Sequence, residues 1–303
     1  NLDPLAYGIE RSPRAGLQLH AWFIPFRCWH PAGKGAAHKS HVTQRAPQLA
    51  VRYGKYQWMD PGNPVARKWS LAVIQDVVRR YDIDGVHIDD YFYPYPENKR
   101  EFPDAASYAA YANRVGAAAK LSRDDWRRQN IDSFVEQMYR LVHEDKPWVM
   151  VGISPFGIAR PGVPEGIQAG LDQYGELYAD VPKWLQNGWL DYLSPQLYWP
   201  IDQKPQAFAK LLDYWHSINP KNRAIWPGLY TSKIRNGGGK LRATELADEI
   251  EMTRRKDRRT PGHVHFSYKA LRDDHVRTAQ PLRQRVYRRA ASVPELPWLP
   301  RRK

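Results

Sequence analysis

Two kinds of segment, which differ in their pattern of apolar and polar positions, alternate along the chain. Short apolar runs are each followed by a segment with the helical spacing of apolar residues. The apolar runs are LQLHAWFIPF (17–26), IDGVHI (83–88), WVMVGISPF (148–156), LDYLSPQLYW (190–199), AIWPGLYT (224–231) and HVHFSYKAL (263–271). Strands that alternate with helices predict βαβ units and a parallel sheet. Six such strands are two fewer than a closed (β/α)8 barrel contains.

The clearest predicted helix starts at Asn63, a favourable N-cap, with Pro64 in its first turn. Its apolar stripe is formed by residues at four-residue steps, namely Val65, Trp69, Val73 and Val77, with Ile74, Val78 and Tyr81 beside them. Further helices are predicted at 122–145, around 177–186, at 205–218 and at 243–256. We predict a long loop between the first strand and Asn63, and an insertion at about 91–122.

The polar residues of the predicted strands fall on one face. Side chains alternate along a strand, so Gly85, His87 and Asp89 lie opposite the apolar Val86 and Ile88. The same alternation groups His20 with Trp22, Gly152 with Ser154, Ser194 with Gln196 and Tyr198, Trp226 with Gly228 and Tyr230, and His263 with His265 and Ser267. We expect these side chains to face the barrel interior, where active sites form at the carboxyl ends of the strands.

Two adjacent carboxylates, Asp89 and Asp90, stand at the end of the second predicted strand. An inward carboxylate is costly to bury unless it is paired or used. Asp89 is therefore the first catalytic candidate and Asp90 the second, although Asp90 could instead cap a helix or fix a loop. Two neighbouring carboxylates also drive their pKa values apart, which leaves one of them protonated as an acid.

Composition narrows the range of partners. The chain has 303 residues with a net charge of +14, 12 Trp and 18 Tyr, and a single cysteine, Cys28. The charge favours anionic partners, but the basic residues are scattered and lack an RNA-binding signature, so we predict no nucleic-acid partner. A single cysteine excludes an internal disulfide and a cysteine metal cluster. No glycine-rich nucleotide loop occurs, and no cofactor is predicted.

Several motifs resemble those of the glycosyl-hydrolase-like family 10. They are LHAWFIPFR, DGVHIDDYFYP, LSRDDWRRQNID, GISPFGI and LYADVPKWLQNGWLDYLSPQLYW, and the resemblance covers most of residues 1–275. This bacterial family of TIM barrels includes a divisome-localised peptidoglycan glycan hydrolase. The resemblance implies a TIM (β/α)8-type barrel domain at 1–275, here with strands three to eight only, followed by a basic extension at 276–303.

The resemblance also implies location and substrate. In members of the family, the region before LHAWF supplies the first two strands and usually an export signal or lipoprotein anchor. We therefore expect an exported protein, periplasmic or associated with the outer membrane. The expected substrate is a cell-wall polysaccharide, and the basic surface suits an anionic wall. One departure from the family is Ile24, where Asn is frequent, so sugar binding there is expected to differ.

The catalytic roles follow from a second likeness. DGVHID is similar to the nucleophile strand of α-amylase-like barrels, with Asp89 as the matching aspartate and His87 in place of an arginine. No second carboxylate stands at another strand end, although glycosidases normally use two. We therefore expect cleavage beside an N-acetylhexosamine, with Asp90 as the acid and Asp89 as the nucleophile or the group that orients the acetamide.

The remaining predicted site residues would hold the sugar by hydrogen bonds or stacking. They are His20, Trp22, His87, Tyr91, Gln196, Tyr198 and Trp199. Glu165 and Asp202 are reserve candidates for a second carboxylate. Retaining, inverting and substrate-assisted mechanisms all stay open.

Two other functions remain open. The barrel could bind carbohydrate without cleaving it, since the aromatic residues alone suffice for that. A metal-dependent hydrolase could use the aspartate pair, His87 and a histidine from among His20, His30, His38 and His41. The histidines show no ligand spacing, so no metal site is predicted.

Overall fold

The computed structural model describes residues 2–33, 35–235, 243–273, 279–293 and 295–302. The strands are β1 (His20–Phe23), β2 (Arg27–Trp29), β3 (Ala50–Tyr53), β4 (Tyr56–Met59), β5 (Gly85–Ile88), β6 (Met150–Ile153), β7 (Tyr192–Leu193), β8 (Ala224–Ile225), β9 (Gly228–Leu229) and β10 (Val264–His265). The helices are α1 (Pro4–Arg11), α2 (Val42–Arg45), α3 (Pro64–Arg80), α4 (Ala105–Val115), α5 (Arg123–Asp145), α6 (Gln173–Glu176), α7 (Val181–Asn187), α8 (Phe208–Ser217), α9 (Thr231–Arg235), α10 (Ala243–Lys256), α11 (Tyr268–Asp273) and α12 (Ala279–Arg285).

A parallel sheet in the order β1-β5-β6-β7-β8 forms the centre of the fold. β9 continues from β8 and pairs in parallel with β10, while a bridge from Gln196 to Gly228 joins the two parts. Helices flank the sheet, and each of the six predicted strands contains at least one observed strand. The predicted α/β barrel class is therefore confirmed. In the described part of the chain, β1 and β10 are the edges of this arrangement.

Helix α3 begins where the sequence predicts it, since Asn63 Oδ1 accepts a hydrogen bond from Val65 N at 2.9 Å. Its buried face matches only part of the predicted stripe. Val65 and Val73 are 55% and 47% exposed, whereas Ile74 and Val78 are buried. Residues four apart on a helix drift by about 40° at each step, so a stripe with that spacing rotates away from the core.

Helix α5 agrees more fully with the helix predicted at 122–145. Ser122 caps it by accepting from Asp125 N, and the helix runs to Asp145. Its buried apolar side chains include Ile131, Phe134, Val135, Met138 and Val142. It packs against α3, so the two helices cover the same side of the sheet.

The segment between β1 and α3 is not the plain loop that we predicted. It contains the antiparallel sheet β2-β4-β3, in which Tyr53 pairs with Tyr56 across a tight turn. Gly54 sits in this turn with φ of 55°, a conformation that glycine adopts without steric cost. The insertion at 91–122 likewise contains α4. Strands of three or four residues carry too few positions for a period to be detected.

Large side chains fill the lower part of the barrel. A Cβ at Gly152 would lie 1.9 Å from Tyr192 Cζ, so glycine is what allows this tyrosine to lie across the interior. The Tyr192 ring stacks on Trp226 with centroids 4.7 Å apart, and Leu296 packs against both. Trp298 Nε1 donates to Asp191 Oδ1 at 3.0 Å. The interior is thus filled at the level of Gly152, below the carboxyl ends of the strands.

The sixth predicted strand has the opposite orientation to the one expected. Phe266 is 49% exposed and lies 6.0 Å from the rings of both Tyr198 and Tyr230, which belong to the set expected to face inward. His263 and His265 instead contact Tyr287, beyond α12. The polar character of the two histidines therefore reflects their contact with the C-terminal region and not an inward position.

The segment after α12 packs on the barrel through Leu296 and Trp298. The predicted domain boundary at residue 275 lies outside the described residues and stays a prediction. Among the helices described, none combines the length and apolar character needed to cross a membrane.

Candidate active site

Asp89 joins the ends of three neighbouring strands. It follows β5, and its Oδ1 accepts a hydrogen bond from Gln196 Nε2 at 3.1 Å. The same Gln196 amide donates to the backbone oxygen of Ser154, also at 3.1 Å. Ser154 follows β6 and Gln196 follows β7, so the three strand ends are held at one point. Asp89 is half-buried and reaches solvent from the carboxyl end of the sheet.

Asp90 lies deeper than Asp89 and is only 3% exposed. Its backbone N donates to Asp89 Oδ1 at 2.9 Å, and its Oδ2 accepts a short hydrogen bond from the hydroxyl of Tyr95. In the described part of the chain, neither aspartate forms an ion pair. Nothing therefore neutralises the pair by direct contact with a cation.

The two carboxyl groups differ in their tendency to hold a proton. Burial, and next the charge of Asp89, raises the pKa of Asp90 to about 7. Burial also raises the pKa of Asp89, but a hydrogen bond to Asp90 and the positive charge of Arg27 oppose that rise. The pKa of Asp90 is thus the more strongly raised of the two, so Asp90 is the member of the pair that holds a proton more readily.

An aromatic groove of about 370 Å³ runs beside the pair. It lies between the β2-β4-β3 sheet and the loop after β5, and its lining includes Arg27, His30, Tyr56, Trp58, Tyr91 and Tyr95. The Arg27 guanidinium lies 4.8 Å from the centre of the Tyr91 ring. Sequence reasoning missed Arg27 and Tyr95, although both stand within the motifs WFIPFR and DYFYPYP.

A second aromatic wall stands on the other side of Asp89. The ring of Tyr198 is 4.8 Å from that of Tyr230, and Phe266 completes the cluster. Burial, and next the charge of Asp89, raises the pKa of the Tyr198 hydroxyl. Trp199 packs edge-on against Phe156 at 5.6 Å. Flat rings flanking a carboxylate suit the faces of sugar units.

The predicted residues His20 and His87 lie deeper in the barrel than the aromatic walls. Their Nδ1 atoms are 2.8 and 2.9 Å from the hydroxyl of Tyr192, which they share. Burial lowers the pKa of each imidazole to about 4, so both are neutral at physiological pH. Trp22 pairs with His87 in register and is 59% exposed on the edge strand β1.

The structure thus brings together part of the predicted set. Asp89, Asp90, Tyr91, Gln196 and Tyr198 lie at the strand ends in one connected region. The reserve carboxylates Glu165 and Asp202 lie exposed in the loops after β6 and β7. In the described ranges, no hydrogen bond or ion pair links either of them to the aspartate pair.

The proposed metal ligands do not converge. His38 and His41 hydrogen-bond to Ser40 and Thr43 two residues further along the chain. Across the residues that the structure describes, no group of three or more His, Cys, Asp or Glu side chains is placed to hold a metal ion.

The parallel strands and flanking helices define an α/β barrel with an acidic pair at its strand ends. Among solved structures, the glycoside hydrolase domain of PgaB (BpsB) from Bordetella bronchiseptica superimposes with a TM-score of 0.59 at 12% identity, covering 93% of this chain and 78% of that one. The profile described as Glycosyl hydrolase-like 10 matches residues 1–243. The chain belongs to this family, which confirms the resemblance in its motifs.

Two curated relatives support the assignment. Glycosyl hydrolase YngK of Bacillus subtilis is 37% identical over 312 aligned positions, covering 98% of this chain and 59% of the relative. Glycosyl hydrolase DigH of Escherichia coli is 30% identical over 245 aligned positions, covering 77% of this chain and 54% of the relative. The chain therefore spans little more than half the length of the curated relatives it matches.

Proposed function

We propose that this chain is the catalytic barrel of a glycosidase that cleaves N-acetylhexosamine-containing bacterial cell-wall glycan, with denuded peptidoglycan strands as its substrate. The observation that carries the proposal is the Asp89–Asp90 pair, in which a half-buried carboxylate adjoins a buried carboxyl group whose pKa is raised to about 7. The pair lies between two aromatic walls at the carboxyl end of a parallel sheet.

The pair supplies one proton and one negative charge. We assign the proton to Asp90, which delivers it to the leaving glycosidic oxygen, and the charge to Asp89, which faces the cavity. Asp89 either attacks the anomeric carbon or accepts the acetamide N–H while the acetamide oxygen attacks. In both routes, water then hydrolyses the intermediate and returns a proton to the pair. Gln196 fixes the orientation of Asp89 through its amide.

Sugar recognition is assigned to the aromatic walls. Tyr91, Tyr198 and Trp199 offer rings near the pair, and the exposed indole of Trp22 extends the surface along β1. His20 and His87 bond to Tyr192, and we propose that they support the floor of the site through it.

An anionic wall suits the charge of this chain. A basin on the barrel is lined by Arg254, Arg259, Arg288 and Arg289, with Glu295 as its acidic residue. A wall substrate places the reaction outside the cytoplasmic membrane, in agreement with the expected export. No feature of the site favours nucleic acid as a partner.

A second function, carbohydrate binding without cleavage, is favoured by one observation. Asp90 is only 3% exposed and covered by Tyr95, whereas an acid must reach the glycosidic oxygen. A binding barrel would retain the aromatic walls and need no such contact. The two functions differ in whether new reducing ends appear.

The test compares Asp89→Asn and Asp90→Asn with the wild-type protein on denuded glycan strands. The reserve candidate Asp202→Asn is the matched control, since it removes an exposed carboxylate on the same face. We expect the pair variants to lose about 100-fold or more in the release of reducing ends, and the control to keep its rate.

Wild-type turnover in both pair variants would reject the assignment of catalysis to the pair. Binding of glycan with no release of reducing ends by the wild-type protein would establish the binding function instead. Loss of activity on addition of a chelator would favour a metal-dependent hydrolase.

A further inference from the structure

A second cavity of about 470 Å³ opens between the first turn of α3, the helix α4 and the first turns of α5. It shares no lining residue with the aromatic groove or with the aspartate pair. Helices of an α/β barrel begin at the face where the strands end, so the cavity lies on the same side of the barrel as the candidate active site. Nothing proposed above uses it.

Two guanidinium groups line this cavity, one from Arg67 on α3 and one from Arg114 on α4. Arg67 is half-buried and donates to the backbone oxygen of Pro61 at 2.6 Å. In the described part of the chain, neither arginine forms an ion pair. Burial lowers the pKa of Arg67, and the positive charge of Arg114 lowers it further.

The nearest carboxylate does not neutralise these arginines by contact. Asp60 lends Arg67 some stabilisation through its charge, but its oxygens accept hydrogen bonds from Gly62 N at 2.7 Å and Ser107 Oγ at 2.5 Å. Burial raises the pKa of Asp60, and these hydrogen bonds oppose that rise. Two like charges that line one cavity repel each other until an anion enters between them.

The rest of the lining suits a sugar. Tyr111 contributes a half-buried ring to the lining, and Trp126, which is only 2% exposed, packs behind it with ring centroids 5.9 Å apart. A Cβ at Gly62 would lie 2.2 Å from the Trp126 ring, so the backbone before α3 packs directly on the indole. The amide of Gln129 also lines the cavity. Rings and amides together match the apolar faces and hydroxyl groups of a hexose.

We infer that this cavity is a second glycan-binding site, which takes a sugar unit carrying a carboxylate, with Arg67 and Arg114 holding the anion and Tyr111 contacting the ring. Such a site would bind the glycan strand at a distance from the cleaved bond. A phosphate on a sugar presents the same oxyanion chemistry, and the experiment separates the two sources.

The test measures the binding of two monosaccharides by ligand-observed NMR titration. N-acetylmuramic acid and N-acetylglucosamine differ only in the lactyl ether and its carboxylate. Inorganic phosphate is the third probe. Because no probe contains a glycosidic bond to cleave, the outcome is independent of whether the barrel hydrolyses glycan.

We expect N-acetylmuramic acid to bind about tenfold more tightly than N-acetylglucosamine, and Arg114→Gln to remove that preference. Arg67→Gln should do the same. Arg140→Gln is the matched control, because Arg140 is exposed on α5 outside the cavity. Arg114 is exposed and its replacement is not expected to disturb folding, which circular dichroism of each variant verifies.

Three results would overturn the inference. The first is equal or undetectable binding of the two sugars by the wild-type protein. The second is an unchanged preference in both Arg67→Gln and Arg114→Gln. The third is phosphate that binds as tightly as the acidic sugar and is unaffected by Tyr111→Ala, which would define a simple anion site with no sugar contact.

Discussion

Replacement of Tyr95 by phenylalanine removes the hydroxyl that hydrogen-bonds to Asp90 Oδ2 while keeping the ring that covers it. A hydrogen bond to a carboxylate favours its ionised form, and this one lowers the pKa of Asp90 against the opposing effects of burial and of Asp89. Without the hydroxyl, the pKa of Asp90 should therefore rise from its value of about 7.

The size of the shift follows from the strength of such a bond. Hydrogen bonds to charged groups contribute about 1.5–3 kcal/mol, and about 1.4 kcal/mol corresponds to one pKa unit. Tyr95 is 37% exposed, so water replaces part of the lost interaction and the lower end of the range applies. We expect an upward shift of about one unit.

The assay is the pH dependence of kcat/KM for the release of reducing ends. A catalytic acid is active while protonated, so the wild-type rate should fall as the pH rises through the pKa of Asp90. In Tyr95→Phe this decline should move to higher pH by about one unit. Tyr56→Phe is the control, since Tyr56 lines the same groove without a hydrogen bond to the pair.

An unchanged profile in Tyr95→Phe, or a decline that moves to lower pH, would refute the reasoning. Either result would mean that Tyr95 does not stabilise the ionised form of Asp90, or that Asp90 is not the acid. An equal shift in Tyr56→Phe would show a general effect of the groove and not of one hydrogen bond.

Three further predictions concern stability, each measured by urea unfolding. Gly152→Ala should lower the free energy of unfolding by about 1–3 kcal/mol, because its Cβ would overlap Tyr192; an unchanged midpoint would contradict this packing. Arg127→Leu should cost about 1.5–3 kcal/mol, because it removes the bidentate bond to the buried Asp104 and leaves Arg123 as its paired arginine; a loss below 1 kcal/mol would show that the pair is not needed. Because folding raises the pKa of Asp90 from its usual value near 4 to about 7, stability should fall as the pH rises from about 4 to about 7 and level off above that, and Asp90→Asn should reduce that fall.

The strands could be predicted from the sequence because they are buried on both faces. A parallel strand covered on both faces consists almost entirely of apolar residues, as in the run around Val151, and such runs are visible without knowledge of the fold. The start of α3 was found from local chemistry, since Asn63 and Pro64 cap the helix that they begin. The β2-β4-β3 sheet was missed because its pairing, such as Arg27 with Trp58, joins positions far apart in sequence.

The candidate site likewise contains residues that the sequence indicates and residues that only the structure reveals. Asp89 and Asp90 could be named from the sequence because a carboxylate at the end of an apolar strand is costly without a use. Arg27 could not, since nothing local to its position shows that it lies over the ring of Tyr91. The face of the last strand was also predicted wrongly, because two polar histidines indicated an inward position.

The sequence by itself determined the order of strands and helices, the family and the acidic pair, because each depends on residues that are neighbours along the chain. Only the tertiary structure decided which aspartate is buried, which tyrosine bonds to it, and that Arg67 and Arg114 line one cavity. Burial and distance depend on segments that meet only after the chain has folded, and these two quantities set the pKa values on which the proposed chemistry depends.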